Sequence, residues 1–454
     1  MDYIQFLKTK EYHSAKKGFD VERVNEMLFP FQKDIVKWCL RKGRSAIFAD
    51  TGLGKTIMQL SWADEVAKHT GLPVLVLAPL AVAKQTADDG ESKYKIPVTY
   101  VKDQESVRNG VNITNYERLD KFDTELFAGV VLDESSILKS FTGKTTNDLI
   151  QRFENTHFKL CCTATPSPND FTEIGTTAEF LGVMRRSEML SEFFINDITS
   201  GIGWRLKGHS EHKFYEWLGT WGMFIKTPAD LDYSSDGYIL PGLNITTHTV
   251  DSKVEVGELL PVLAETLNER RQARKDSLDE RVAKAVEIIQ ETPEENFLIW
   301  CDYNNESTSL SKAIDGAVEV TGSDKPEKKE QALNGFARNE FKYLVSKPKI
   351  AGYGMNWQNC HNMIFCGLSD SFEMFYQAIR RCYRFGQQHE VNVHVIISES
   401  EENVLLNIQE KQEKHDEMSK NMQKVMKKIL LAELKNKTIE LSDYEANQKM
   451  EFYM

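Results

Sequence analysis

The stretch Ala49-Asp50-Thr51-Gly52-Leu53-Gly54-Lys55-Thr56 limits what this chain can fold into more than any other. It follows the apolar run Ser45-Ala46-Ile47-Phe48 and leads into Ile57-Met58-Gln59-Leu60-Ser61-Trp62-Ala63, which has helical character. A buried strand, a glycine-bearing turn and a helix are the context that a phosphate-binding loop requires. Gly52 and Gly54 let the backbone curl until its N–H groups converge on an anion at the helix N-terminus. Lys55 can then reach the β- and γ-phosphates of a nucleotide, and the Thr56 hydroxyl can hold Mg²⁺. Ala49 stands where the general pattern has its first glycine. A tight turn carrying Gly-Lys-Thr by coincidence is the alternative, and the flanking strand and helix argue against it.

A chain of 454 residues exceeds one ordinary core, which predicts two or three domains. Hydrophobic residues at 41% and charged residues at 27% fit a folded globular protein rather than a disordered one. No apolar stretch reaches membrane-spanning length, and the first residues lack the layout of a secretory leader, so no membrane partner is expected. The seven cysteines form no CxxC pair, and Cys161-Cys162 lie adjacent in an apolar run. They read as buried reduced thiols, and a cytoplasmic location is expected. His209 and His212 stand near no cysteine pair, which argues against zinc. A net charge of −12 argues against nonspecific coating of nucleic acid but leaves room for a local basic channel.

Residues 1 to 28 read as a polar, partly helical lead-in. Pro30 then sits near a helix start in Leu28-Phe29-Pro30-Phe31-Gln32-Lys33-Asp34-Ile35-Val36-Lys37-Trp38. The Gln32 amide, some twenty residues before the loop, has the groups to grip adenine. Further buried strands are predicted at Pro73 to Pro79, Val98 to Val101, Val111 to Thr114, and Gly129-Val130-Val131-Leu132. The last ends in Asp133-Glu134. Downstream of a phosphate loop, Asp133 would hold Mg²⁺ through water and Glu134 would deprotonate the attacking water; a solvated strand end is the alternative. Phe158 to Cys162 is a further strand and runs into Thr163-Ala164-Thr165-Pro166, at the ligand edge of a doubly wound sheet. Strands alternating with helices from about residue 45 to 180 thus make one α/β nucleotide-binding domain.

Residues 185 to 245, with Trp204, Trp217 and Trp221, show no clean alternation and read as an insertion plus a crossover. Glu265 to Gln290 is predicted as a charged helix. Its cluster Arg270-Arg271-Gln272-Ala273-Arg274-Lys275 is either a phosphate contact or, more commonly, a solvated face. A second α/β unit follows, with strands at Phe297 to Cys301, Tyr343 to Val345 and Met363 to Cys366 and a helix at Gln331 to Phe341. It has no phosphate loop. On a helix through Tyr376 to Gln387, Gln377, Arg381 and Arg384 would share one face, and the arginines could neutralise a phosphoryl group in transit; a salt-bridged surface helix is the alternative. A helical tail from 401 to 435 carries Val404, Leu405, Ile408, Met418, Met422, Val425, Met426, Ile429 and Leu430, expected to pack against the domains.

In order along the chain, these stretches resemble superfamily 2 helicases, and within them the Swi/Snf-type DNA translocases. Phe29-Pro30-Phe31-Gln32 looks like the adenine-reading glutamine motif, and Asp50 to Thr56 like the family's first motif. Leu77-Ala78-Pro79-Leu80 and Ile113-Thr114-Asn115-Tyr116-Glu117 are similar to DNA-contacting motifs. Asp133-Glu134 matches the Mg²⁺ and catalytic carboxylates, and Thr163-Ala164-Thr165-Pro166 the motif that couples hydrolysis to movement. Ser346 to Asn356, with Lys347 and Gly354, resembles a motif contacting both DNA and ATP. Gln377 to Gln387 resembles the last motif, including its Arg-x-Gly-Gln ending. Ser135-Ser136 depart from the family's usual Ala-His, and Arg380 replaces the usual glycine, adding a charge near the fingers. The long appendages of eukaryotic remodellers are missing, which gives the chain the look of the compact bacterial and bacteriophage type.

The resemblance implies two tandem RecA-like α/β domains with a cleft between them and a C-terminal helical extension. The expected divisions are 1–184, 185–264, 265–400 and 401–454. It implies an ATP- and Mg²⁺-dependent motor acting on DNA, duplex favoured. ATP would be bound by Gln32, Thr51, Gly52, Leu53, Gly54, Lys55 and Thr56, and the metal by Thr56 and Asp133. Catalysis would fall to Glu134, Gln377, Arg381 and Arg384, and coupling to Thr163, Ala164, Thr165 and Gly354. Nucleic acid would be met by Pro79, Asn115, Tyr116, Ser346 and Lys347. A monomer is expected, with room for a recruiting protein. Unwinding of DNA or RNA, or a nucleotide-dependent clamp, are the competing readings.

Overall fold

The computed structural model describes residues 18–167, 170–197, 203–251, 272, 274–351, 355–369 and 371–434. The order begins with a helix at Pro30–Lys42, then β1 (Arg44–Ala49) and a helix at Lys55–Thr70. There follow β2 (Val74–Ala78), a helix at Leu80–Ser92, β3 (Val98–Tyr100), β4 (Val111–Asn115), β5 (Gly129–Asp133) and β6 (Phe158–Thr163). A small antiparallel hairpin, β7 (Phe194–Asp197) with β8 (Gly203–Leu206), and a helix at Glu211–Gly219 lead to β9 (Gly222–Ile225). The first sheet is seven-stranded and parallel throughout, in the order β3-β4-β2-β5-β6-β1-β9. Its central strands β2, β5 and β6 are buried along their whole length because helices cover both faces. Trp38, Trp62, Trp217 and Trp221 are fully buried around it.

The second sheet is six-stranded and parallel, in the order β10-β15-β14-β11-β13-β12. Its strands are β10 (Leu243–Val250), β11 (Phe297–Trp300), β12 (Ala317–Val320), β13 (Tyr343–Ser346), β14 (Asn362–Cys366) and β15 (Val391–Ser398). The two sheets with their helices are the two tandem α/β lobes. The stretch expected to be only insertion and crossover does more than connect. Its β9 pairs with β1 in the first sheet, and its β10 pairs with β15 at the edge of the second. Periodicity missed them because β9 is four residues long and β10 is an exposed edge strand. The expected helical lead-in also differs: residues 18–28 hold only turns and bends, and residues 1–17 lie outside the described part.

The tail forms one helix of 33 residues, Glu402–Leu434, spanning roughly 50 Å. Val404 and Ile408 belong to the core of the second lobe, and Met422 to that of the first. Polar contacts follow the same path. Asn421 donates to Glu211, Gln423 to Asp230, and Lys427 pairs with Asp232. The helix therefore straps one lobe to the other. The side chains of Met418, Val425, Met426, Ile429 and Leu430 lie outside the described part.

Arg274, expected in a solvated or phosphate-facing cluster, is buried instead, while Lys275 is exposed; Arg270, Arg271 and Ala273 lie outside the described residues. Arg274 pairs with Glu306 at 3.1 Å, Asp302 at 3.2 Å and Glu401 at 3.5 Å. Arg281 reaches the same Glu306 at 2.9 Å. Glu306 also accepts the backbone N–H groups of Asp302 and Tyr303 at the start of the helix Asn304–Ala313. Glu306 thus bridges two buried guanidiniums, and Arg274 carries the link on to Glu401 at the tail's root. Removing Glu306 leaves Arg274 with Asp302 and Glu401 but takes from the fully buried Arg281 the carboxylate it pairs with, so Glu306→Ala should cost the second lobe about 3–5 kcal/mol. Urea unfolding followed through tryptophan fluorescence measures this, and a loss below about 1 kcal/mol would contradict the network's role.

Candidate active site

Parallel strands place all their carboxyl ends on one edge, where loops meet a ligand. At that edge β1 delivers the glycine loop, β5 delivers Asp133-Glu134 and β6 delivers Thr163-Ala164-Thr165. The register sets Asp133 level with Cys162, one residue short of Thr163. Gly52 and Gly54 adopt φ of +88° and +81°, a left-handed backbone that disfavours any side chain. A Cβ on Gly54 would strike the Gln32 amide, and one on Gly52 would meet the Phe385 Cβ of the second lobe at 2.9 Å. Lys55 heads the helix and folds back, donating to the Ala49 carbonyl at 2.8 Å and the Asp50 carbonyl at 3.3 Å. Thr51, Gly52, Gly54, Lys55, Thr56, Asp133, Glu134, Arg381 and Arg384 all line one cleft of about 290 Å³. Leu53 is buried beneath the loop.

Charge is concentrated there. Burial lowers the Lys55 pKa against the pull of Glu134, Asp50 and Asp133. Burial and the adjacent Glu134 carboxylate lift Asp133 to about 7, although Lys55 draws it down. Burial also raises Glu134, opposed by Lys55 and by Arg381 from the other lobe. Glu134 has a left-handed backbone, φ +56°, which turns its carboxylate away from the strand line, and its Oε2 has no hydrogen-bond partner. The Tyr116 hydroxyl donates to the Asp133 carbonyl at 2.7 Å and so fixes the end of β5. Thr163 accepts the Thr165 N–H at 3.1 Å, closing a tight turn around Ala164.

The second lobe supplies the arginines, though not on the expected helix. The helix Phe372–Ile379 stops at Arg380, and Arg381 and Arg384 sit in the turns after it. They converge because both donate to the Met355 carbonyl at 3.1 Å. Gln377 is buried, and its side-chain oxygen and carbonyl accept from Arg381 at 3.0 and 2.9 Å. It orients one arginine and does not line the cleft. The Nε of Arg384 has no partner, and burial lowers that guanidinium's pKa. Arg380 turns away from the cleft to the Asp50 carboxylate, at 2.8 Å.

Other expected residues fall elsewhere. Both ends of the Gln32 amide are engaged within the chain: Nε2 donates to the Leu53 carbonyl at 2.8 Å, and Oε1 accepts the Phe29 N–H at 2.9 Å. Pro79 lines the nucleotide cleft. Asn115 and Ser346 are buried, which keeps them from meeting a nucleic-acid backbone in this arrangement. Ser346 donates to the Val320 carbonyl, and the half-buried Lys347 to Asn304 at 2.6 Å. Gly354 lies outside the described residues. Gln85, Thr86, Asp89 and Tyr94 line the cleft without having been anticipated. Gln85 and Asp89 stand four apart on the helix that Pro79 caps, a spacing that puts both on one face.

The chain matches the SNF2-related domain over residues 31–202 and the helicase conserved C-terminal domain over residues 280–386. Two curated relatives are similar along most of its length. These are the SWI/SNF-related matrix-associated actin-dependent regulator of chromatin subfamily A-like protein 1 of Xenopus laevis and of Xenopus tropicalis. Each is 23% identical over 443 residues, covering 87% of this chain. The chain spans less than half of either relative, 44% and 45%. Among solved structures, the Sulfolobus solfataricus SWI2/SNF2 ATPase core in complex with dsDNA aligns with a TM-score of 0.43 and 18% identity, covering 94% of this chain and 100% of that one. The chain carries an SNF2-related domain and a helicase conserved C-terminal domain in tandem, and these mark it as an ATP hydrolase.

Proposed function

We propose that this ATPase is a motor that moves along duplex DNA, hydrolysing ATP between its two lobes. The observation that carries the reading is one cleft in which Lys55, Thr56, Asp133 and Glu134 from the first lobe face Arg381 and Arg384 from the second. Neither lobe alone holds both the phosphate loop and the arginines, which ties chemistry to lobe closure. Lys55 is placed for the β- and γ-phosphates, and the two arginines for charge on the γ-phosphoryl group. The free Oε2 of Glu134 is placed to take the proton of the attacking water. Thr56 and Asp133 present a hydroxyl and a carboxylate, hard oxygen donors that suit Mg²⁺. When bound, that ion would neutralise phosphate charge. Gln32 holds the loop from behind, and an adenine there would have to displace one of its two present bonds.

Movement along duplex DNA rests on the family resemblance of the motifs, and so does the compact bacterial or bacteriophage type. A monomeric state, a cytoplasmic location and a recruiting protein belong to the same proposal. Among the described residues no helix is long and apolar enough to cross a membrane. We place the first lobe from Pro30 to about Leu231, the second from Leu243 to Ser398 and the strap helix after it.

Steady-state ATP hydrolysis should rise strongly with duplex DNA and less with single strands or RNA. Stimulation mainly by single strands would favour unwinding, and none at all a clamp or a missing partner. Glu134→Gln should lower turnover by about 10²- to 10⁴-fold while nucleotide still binds; retained turnover would refute the assignment. A second outcome concerns pH. An acid whose folded pKa is raised costs stability as pH climbs from its unfolded value of roughly 4 through its folded one. For Asp133 that window ends near pH 7, and a bound cation relieves the cost. The thermal shift given by Mg²⁺-nucleotide should therefore be larger at pH 8 than at pH 6, and Asp133→Asn should erase the difference. Equal shifts at both pH values would contradict it.

A further inference from the structure

We infer that Arg380 is a positioning residue: its ion pair with Asp50 ties the base of the phosphate loop to the second lobe and sets Arg381 and Arg384 over the cleft. The inference rests on reading the cleft as the ATP site. Arg380 Nη2 lies 2.8 Å from Asp50 Oδ2, across 330 residues of sequence and between the two lobes. The Tyr376 hydroxyl donates to Asp50 Oδ1 at 2.6 Å and lies 3.0 Å from Arg380 Nη2. The Thr51 N–H adds a bond to Oδ1 at 2.7 Å. The guanidinium also stands over the Tyr376 and Tyr383 rings, at 4.9 and 5.3 Å from their centroids. Both charged side chains are mostly buried, 15% and 13% exposed.

Two facts give this cluster a role beyond holding surfaces together. Each partner adjoins a working residue. The Asp50 carbonyl accepts from Lys55 Nζ, and Arg380 is bonded directly to Arg381. Arg380 is also no third phosphate ligand, because Asp50 already balances its charge at hydrogen-bond distance. A buried, paired charge is costly to strand but cheap to return to water. When the lobes part, Asp50 and Arg380 are each solvated on their own lobe. A substitution here therefore penalises the closed arrangement and leaves each lobe's fold intact. Closure is when the arginines meet the γ-phosphoryl group, so the loss should fall on turnover and not on nucleotide binding to the first lobe.

The test compares Arg380→Gln, Asp50→Asn and the double variant in the full chain with duplex DNA, reading turnover by steady-state hydrolysis and affinity with a fluorescent ATP analogue. Asparagine keeps the Oδ1 acceptor for Tyr376 and Thr51, so Asp50→Asn removes the charge and the one acceptor that faces Arg380. Each single variant should lower kcat roughly tenfold, with affinity changed less than about threefold, and the double should be no worse than the worse single. Arg380→Lys should recover part of the loss. Unchanged kcat, losses that multiply in the double, or affinity falling in step with kcat would overturn the inference. Survival of turnover in Glu134→Gln would overturn the reading of the site itself. Normal loss there, beside unchanged kcat in Arg380→Gln, would overturn only this step.

Discussion

Lys55 is a half-buried ammonium in the cleft, and such a desolvated charge needs negative charge around it. Asp50, Asp133 and Glu134 supply that charge, and burial raises both strand-end carboxylates in turn, Asp133 further through repulsion by Glu134. The cleft is therefore an electrostatic balance that is incomplete within the first lobe. It gains its remaining positive charge from Arg381, Arg384 and, through Asp50, Arg380. A polyphosphate with its cation adds charge of both signs to the same space. The arrangement of lobes, rather than either lobe alone, decides whether the balance closes.

Holding the lobes in that arrangement falls to contacts far from one another. On the cleft side, Phe385 packs against Gly52, and Lys139 pairs with Glu373. Away from it, the strap helix inserts Met422 into the first core while its root is tied by Glu401 to the buried Arg274. A linker aromatic, Tyr238, lies 4.6 Å from the Phe385 ring and also touches Phe31, near the glutamine that supports the loop. Closing the lobes thus involves packing, ion pairs and the loop's own support at once. That couples the geometry of the chemistry to the position of whole domains.

Much of this was legible in the sequence because each legible part follows from local chemistry. Apolar runs buried on both faces read as parallel strands, and a glycine turn after one of them fixes the loop. Asp133 and Glu134 stood out because a strand end beside such a loop has few other uses for two carboxylates, and the fold brings both to the cleft. What escaped was set by partners distant in sequence. Arg274 sits among charged neighbours and looks solvated, yet Glu306 and Glu401 draw it inside. The strands β9 and β10 carry too little pattern to be seen before the sheets they complete. Asn115 and Tyr116 read as surface contacts by resemblance, whereas burial of Asn115 and the bond from Tyr116 to the Asp133 carbonyl make them part of the scaffold around the end of β5.

The arginines reach the cleft by a different geometry from the one their spacing predicts. A helix through residue 387 would put Gln377, Arg381 and Arg384 on one face by spacing alone. The helix instead ends at Ile379, and the side chains meet because one carbonyl, Met355, accepts from both guanidiniums. A carbonyl offers two lone pairs, so this one oxygen accepts from both guanidiniums and draws them together. Ending the helix early also frees Arg380 to turn back to Asp50 while its neighbour turns inward to the cleft. Successive residues on a continuing helix diverge by about 100°. Here the break in the helix sends one arginine to Asp50 at the base of the loop and its neighbour into the cleft.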